Sequence, residues 1–302
     1  MISLLLRSVV LAGVTAPGAA LVAAPACEAA VLYRSGSPAY DEAVNGIRAA
    51  LTDAPCRVRY VDLADAAAEK SLAGSFASGT KVVATVGIGA YDRMKSESGG
   101  LNILPALVLR GDLGPGGSAR RAGALYADVP LVVILERLRE LFPKKSRVGL
   151  IHRPSWPVPD AATRDRIRQM GYELRMVECK GPDKLLAAFS SLKGTVDFVI
   201  AEPDTELYNS ATVKPLVLAS LDSRLPIVGF SASFVRAGAL LGVYPDFFEA
   251  GRQTGEMMSQ FMLGKNSGAE ENVRKVKVAV NQQVVRLIGM EPERQEGVEI
   301  LK

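Results

Sequence analysis

The 302-residue chain has a single histidine, His152, together with three cysteines and one tryptophan. One imidazole excludes a multi-histidine metal centre, and a hydrolytic triad would have to be built on His152 alone. Aromatic residues make up 6% of the chain, and its 36 Lys+Arg and 32 Asp+Glu, a net charge of +4, are scattered rather than massed. A nucleic-acid groove needs clustered cations, so DNA or RNA is not expected as a partner. Phosphate-cradling loops are lacking too. Gly87-Ile88-Gly89 has no third glycine, and the glycine-rich stretch 111–117 has no Lys-Ser/Thr ending. No metal or cofactor is expected, and composition favours binding over catalysis. What the chain does have is apolar material: 48% hydrophobic against 23% charged residues, enough for packed cores. Its length suits two domains.

The N-terminus reads as an address. An apolar stretch 2–6, Arg7, a second apolar stretch 9–24 and the small residues Ala24-Pro25-Ala26 have the order of a secretory signal with cleavage before Cys27. Pro17 and Gly18 interrupt the stretch, which argues against a membrane anchor. A periplasmic location is expected. Cys27 then has three readings: a lipid-anchor site, although Ala24 stands where such signals usually carry leucine, a free thiol, or a disulfide partner of Cys56. Cys179 reads as a small buried hydrophobe.

After the signal, short apolar runs alternate with amphipathic segments. Strands are expected at 30–34, 57–63, 81–86 and 106–110, with helices at 40–51, 64–76, 91–96 and 131–142. The pattern repeats with strands at 147–152, 173–178, 197–201 and 226–230 and helices at 161–170, 183–192 and 213–220. A strand at 240–244, an apolar helix at 248–263 and a strand at 276–280 follow. Nearly all-apolar strands indicate parallel sheets covered by helices on both faces. The expected fold is α/β, with two doubly wound parallel-sheet lobes. Residues 27–145 plus 246–302 form lobe 1 and 146–245 form lobe 2, with the late segment returning to the first lobe through a multi-strand hinge.

Ligands of open parallel sheets sit beyond the carboxyl ends of the strands, so residues just after each strand are the site candidates. Arg34, Arg110 and Arg153 fall there and either hold a carboxylate or phosphate or are solvated rim charges, and Ser35 and Ser231 also lie at strand ends. Gly87 and Gly89 allow close backbone approach, or form a simple turn. Ser155 either caps a helix or bonds a ligand, and Trp156 either stacks on a planar ligand or packs within its lobe. In Glu202-Pro203-Asp204-Thr205, Asp204 and Thr205 either contact a ligand ammonium or cap a helix. Asp246, beside the expected hinge, has the same two readings.

Three stretches carry a family resemblance: Arg147-Val148-Gly149-Leu150-Ile151 with His152-Arg153-Pro154-Ser155; Pro226-Ile227-Val228-Gly229-Phe230; and Ala237-Gly238-Ala239-Leu240-Leu241-Gly242-Val243 with Tyr244 and Asp246, continuing as Glu249-Ala250-Gly251-Arg252-Gln253-Thr254-Gly255-Glu256. Over 147–290 the chain resembles the periplasmic substrate-binding proteins of ABC transporters, in the type 1 periplasmic-binding subfamily that includes binders of aromatic amino acids. The resemblance implies a hinged monomer that captures a small-molecule ligand, performs no reaction and presents the ligand to ABC permease membrane subunits. Two departures stand out: Arg153 where the family usually has asparagine, and Gly87-Ile88-Gly89 without a hydroxyl residue. Other uses of such a cleft are a sensory module that signals to a receptor or kinase, and a secreted enzyme with Asp204 or Asp246 as base.

Overall fold

A computed structural model describes residues 27–301 apart from 71, 73–75, 77, 78, 96–99, 114–119, 266, 267, 294 and 295. The expected signal at 1–26 and most of the glycine-rich 111–117 stretch lie outside the described residues.

The chain first lays down β1 (Glu28–Tyr33), α1 (Pro38–Ala50), β2 (Arg57–Asp62), α2 (Ala66–Lys70), β3 (Thr80–Val86), α3 (Ile88–Lys95), β4 (Asn102–Val108), α4 (Arg110–Leu113), β5 (Arg120–Arg121) and β6 (Gly123–Tyr126). It then crosses over to build α5 (Leu131–Leu141), β7 (Arg147–His152), α6 (Ala161–Gln169), β8 (Glu173–Glu178), α7 (Leu185–Ser191), β9 (Phe198–Ile200), α8 (Val213–Ser223), β10 (Ile227–Gly229), α9 (Ala232–Ala237) and β11 (Leu241–Pro245). A second crossing returns it as α10 (Phe247–Met262) and β12 (Ala269–Asn272), and a third delivers β13 (Val276–Asn281), α11 (Gln282–Ile288) and β14 (Val298–Leu301).

Two seven-stranded sheets result. The first runs β12-β6-β4-β3-β1-β2 with β5 beside β4, and the second runs β14-β13-β11-β10-β9-β7-β8. Every pairing is parallel except β11 with β13. Burial follows position in the sheet. Interior β3 and β7 are almost wholly buried, whereas edge strands β2 and β8 alternate between covered and exposed residues. These are the expected two parallel α/β halves.

The division of the chain between the halves differs from the expected one. Leu131, Ile134, Leu135 and Leu138 of α5 pack with Val148, Leu150, Val228 and Leu241, so this helix belongs to the second half and the first crossing falls at 127–130. Residues 246–302 also split, because β13 and β14 pair in the second sheet while β12 pairs with β6 in the first. The cause is the amphipathic pattern itself: a helix written with one apolar face does not disclose which sheet that face will meet. β4 starts four residues before the expected 106, because Pro105, which argues against an interior strand, takes a place in the ladder opposite Thr85. Arg110 therefore opens a short helix rather than ending a strand.

Helix α10 covers the first sheet by lying directly on α1. A Cβ on Gly251 would run into the Ala43 carbonyl and one on Gly46 into the Phe248 carbonyl, while at Gly255 it would come 2.6 Å from Ala50 Cβ. Glycine is required there by space alone. At the opposite pole from the carboxyl strand ends, Cys27 and Cys56 form a disulfide that ties the start of β1 to the start of β2. The bond leaves Cys27 no sulfur for a lipid thioether, which corrects that expectation, and it suits an oxidising compartment.

Candidate ligand-binding site

The carboxyl ends of the central strands of both sheets meet around a cavity of about 380 Å³. Its walls come from the β1–α1 junction (Ser37, Tyr40), the start of α3 (Ile88), the β4–α4 segment (Leu107, Asp112) and the first crossing (Asp128) on one side. From the other half come Glu202 and Thr205 after β9, Phe230 and Ser231 after β10, and Phe247 at the second crossing. The surface is mainly apolar with a few polar groups, as small-molecule sites are.

Those polar groups are acidic. Glu202 lines the cavity with a fully buried Oε2 that has no hydrogen-bond partner among the described residues. Burial, then the nearby Asp128 and Asp204 carboxylates, push its pKa up to about 7, partly offset by the neighbouring Trp156 indole. Asp128 is raised by burial, although the Arg110 backbone N–H donates to its Oδ2 at 2.7 Å. Asp112 is raised by burial and then by Asp204, with Arg153 acting against this. Behind the wall, the buried Tyr208 hydroxyl also has no partner among the described residues, and burial followed by Glu202 raises its pKa.

The cations nearby are already engaged. Arg153 bonds Asp204 through Nε at 2.6 Å and Glu206 through a terminal nitrogen at 2.7 Å, and its guanidinium carbon lies 5.4 Å from the centroid of the Trp156 ring. Asp204, 2% exposed, also accepts from the backbone N–H groups of Glu206 and Leu207. The Arg110 guanidinium lies over the Tyr126 ring at 3.8 Å, with Glu270 3.7 Å away, and Arg34 pairs with Glu69 at 3.1 Å. None of the three arginines is among the cavity-lining residues.

Of the residues singled out by their place after a strand, Thr205 and Ser231 line the cavity, Ser231 while also capping α9 by accepting from the Phe234 N–H. Gly87, at φ 82°, stands behind Tyr40: a Cβ there would lie 2.5 Å from the tyrosine hydroxyl. Gly89 has open space around it. The Ser35 N–H bonds Asp62, Ser155 is exposed in a turn, and Asp246 caps α10 by accepting from the Glu249 N–H. Trp156 is 8% exposed and reaches across to the first half, where a Cβ on Gly111 would come within 2.7 Å of its ring.

Sequence reasoning passed over Glu202, Tyr40, Phe230, Phe247, Asp112 and Asp128. Glu202 is the first residue past Ala201 in a segment where attention fell on Asp204, and a hydroxyl or ring at the head of a helix carries no local signal of what lies opposite. Leu107 has φ 56°, a left-handed value unusual for leucine, at the point where the β4–β6 register shifts. This strained turn sets Leu107 into the cavity wall.

Two α/β halves, joined by three crossings and facing each other over a cavity at their strand ends, define the type 1 periplasmic-binding-protein fold. The chain belongs to the ABC transporter substrate binding protein family, whose model matches residues 130–294. No curated protein sequence matches it. Among solved structures it is similar to CD0873, a substrate binding protein with adhesive properties from Clostridium difficile, in its ligand-free, open form. That likeness has a TM-score of 0.66 at 17% identity and covers 91% of this chain and 99% of that one. It is also similar to an ABC domain in complex with L-Trp from Streptococcus pneumonia, with a TM-score of 0.57, 17% identity, and 91% and 99% covered.

Proposed function

We propose that the protein is exported by the signal at 1–26, works as a monomer outside the cytoplasmic membrane, and captures a small organic solute between its halves for delivery to the permease subunits of an ABC importer. The observation that carries this reading is the cavity itself: it is walled by both halves at once and contains a buried carboxylate oxygen, Glu202 Oε2, that no group of the described residues satisfies. A ligand touching both walls binds the closed arrangement more tightly than the open one, and that difference is all that closure requires. The permease then distinguishes loaded from empty protein by shape, and no bond is made or broken.

Mass spectrometry of small molecules released from purified native protein tests the reading, together with small-angle scattering before and after their return. A released solute that contracts the protein on re-addition is the expected result. Retention of no solute, combined with no response to a broad library of amino acids, amines, sugars and carboxylates, would overturn it.

A further inference from the structure

The charge of the cavity wall limits what it can hold. Asp112, Asp128 and Glu202 line it, and Asp204 and Glu206 stand just behind. Arg153 and Arg110 do not balance them. Arg153 is committed to Asp204 and Glu206, and Arg110 to the Tyr126 ring, Asn272 and Glu270. Among the described residues, no lysine or arginine lines the cavity. A ligand carboxylate entering here would meet repulsion from three sides with no free cation to offset it.

Glu202 Oε2 adds a directional demand. A buried acceptor without a donor costs roughly 1–3 kcal/mol, and more when charged, until something supplies an N–H or O–H. The raised pKa values of Glu202, Asp128 and Asp112 have the same origin, carboxylates crowded together away from water. A metal ion is not the fit: among the described residues no group of three or more His, Cys, Asp or Glu side chains converges to hold one. The same lining includes the rings of Tyr40, Phe230 and Phe247 and the side chains of Ile88, Leu107 and Val243, which suit an apolar body.

We infer that the cavity takes a protonated amine carried on an apolar body and lacking a carboxylate, with its N–H groups directed at Glu202 and the positive charge shared by Asp128 and Asp112. This inference rests on the solute-capture reading and gives its ligand a chemical class. It reverses the expectation that strand-end arginines hold an anionic group.

Three probes of matched shape test it: phenethylamine, phenylalanine and 3-phenylpropanoate, measured by calorimetry and by Trp156 fluorescence at pH 8. Phenethylamine is expected to bind, phenylalanine at least about tenfold more weakly because its carboxylate faces the acids, and 3-phenylpropanoate not measurably. Glu202→Gln is expected to weaken amine binding about ten- to a hundredfold, the range of a lost charged hydrogen bond. Glu173→Gln, exposed at the amino end of β8 and outside the lining, is expected to leave binding unchanged. Phenylalanine or phenylpropanoate binding as tightly as the amine would overturn the inference, as would full amine affinity in Glu202→Gln. If these probes and a wider set of alkyl and aryl amines all fail while other solutes bind and contract the protein, the inference falls and solute capture stands. If nothing binds at all, both fall.

Discussion

Glu202 holds its proton more tightly in the folded chain than in the unfolded one, where a glutamate titrates near 4.3. Between that value and about 7, the native state keeps a proton that the unfolded state has lost, so this residue makes stability fall as pH rises through the window. Asp128, Asp204, the Tyr208 hydroxyl and the Trp156 indole surround it, and the two aspartates reinforce the effect. Urea unfolding of the ligand-free protein is expected to show about 2–3 kcal/mol of this loss between pH 5 and pH 8, the equivalent of roughly two pKa units. Glu202→Gln should remove that slope, and parallel slopes in the two proteins would contradict the account. Arg153 has the opposite balance. Truncation to alanine strands the Asp204 carboxylate among buried groups, and a loss of about 3 kcal/mol or more at pH 7 is expected in the same assay. A change of under 1 kcal/mol would mean that Asp204 is rescued by its backbone donors alone.

At the scale of elements, the tightest design is α1 against α10. The carbonyls of Ala43 and Phe248 occupy the space that side chains on Gly251 and Gly46 would need. Gly251→Val forces the helices apart and is expected to cost about 2–3 kcal/mol, read as a shift in the thermal midpoint. Gly79→Ala, with nothing within 4 Å of the new methyl, is expected to stay within about 0.5 kcal/mol of the parent. The glycines of α10 stand in plain view in the sequence, and so do the apolar strands β3, β7 and β10, because buried parallel strands are written as unbroken Val, Ile and Leu. Short β12, Ala269–Asn272, and β14, Val298–Leu301, carry no such pattern and are strands only because β6 and β13 offer them open edges. The site was legible in part for the same reason. The rule of strand carboxyl ends finds Thr205 and Ser231, but the meeting of Tyr40 with Phe230 and Glu202 is a product of tertiary packing that no local spacing encodes.

Across the whole molecule, the cavity and the disulfide sit at opposite ends of the first sheet. Breaking the Cys27–Cys56 bond, which spans a sequence separation of 29, should lower stability by about 3–4 kcal/mol through the freed unfolded chain. Solute affinity should not change in a Cys27→Ser/Cys56→Ser variant, and a shift beyond twofold by calorimetry would mean that the two poles communicate. The crossings are cross-linked as well. Asn272 on the third donates to the Asp128 carbonyl on the first, the Asp246 N–H at the second bonds the Lys275 carbonyl, and buried Gln253 bonds Glu271 and the Asn272 carbonyl. The halves are thus expected to move as two bodies about one shared strap, and amide exchange should slow at 127–130 and 273–275 together when solute binds.

The triple crossing also sets an order of assembly. The half that starts first in the chain, with β1, cannot be finished until α10 and β12 have been made, whereas the other half holds five of its strands in one uninterrupted stretch from β7 to β11. A growing chain therefore holds six strands of the earlier half and five of the later one before either half has its last edge, and the earlier still waits for its covering helix.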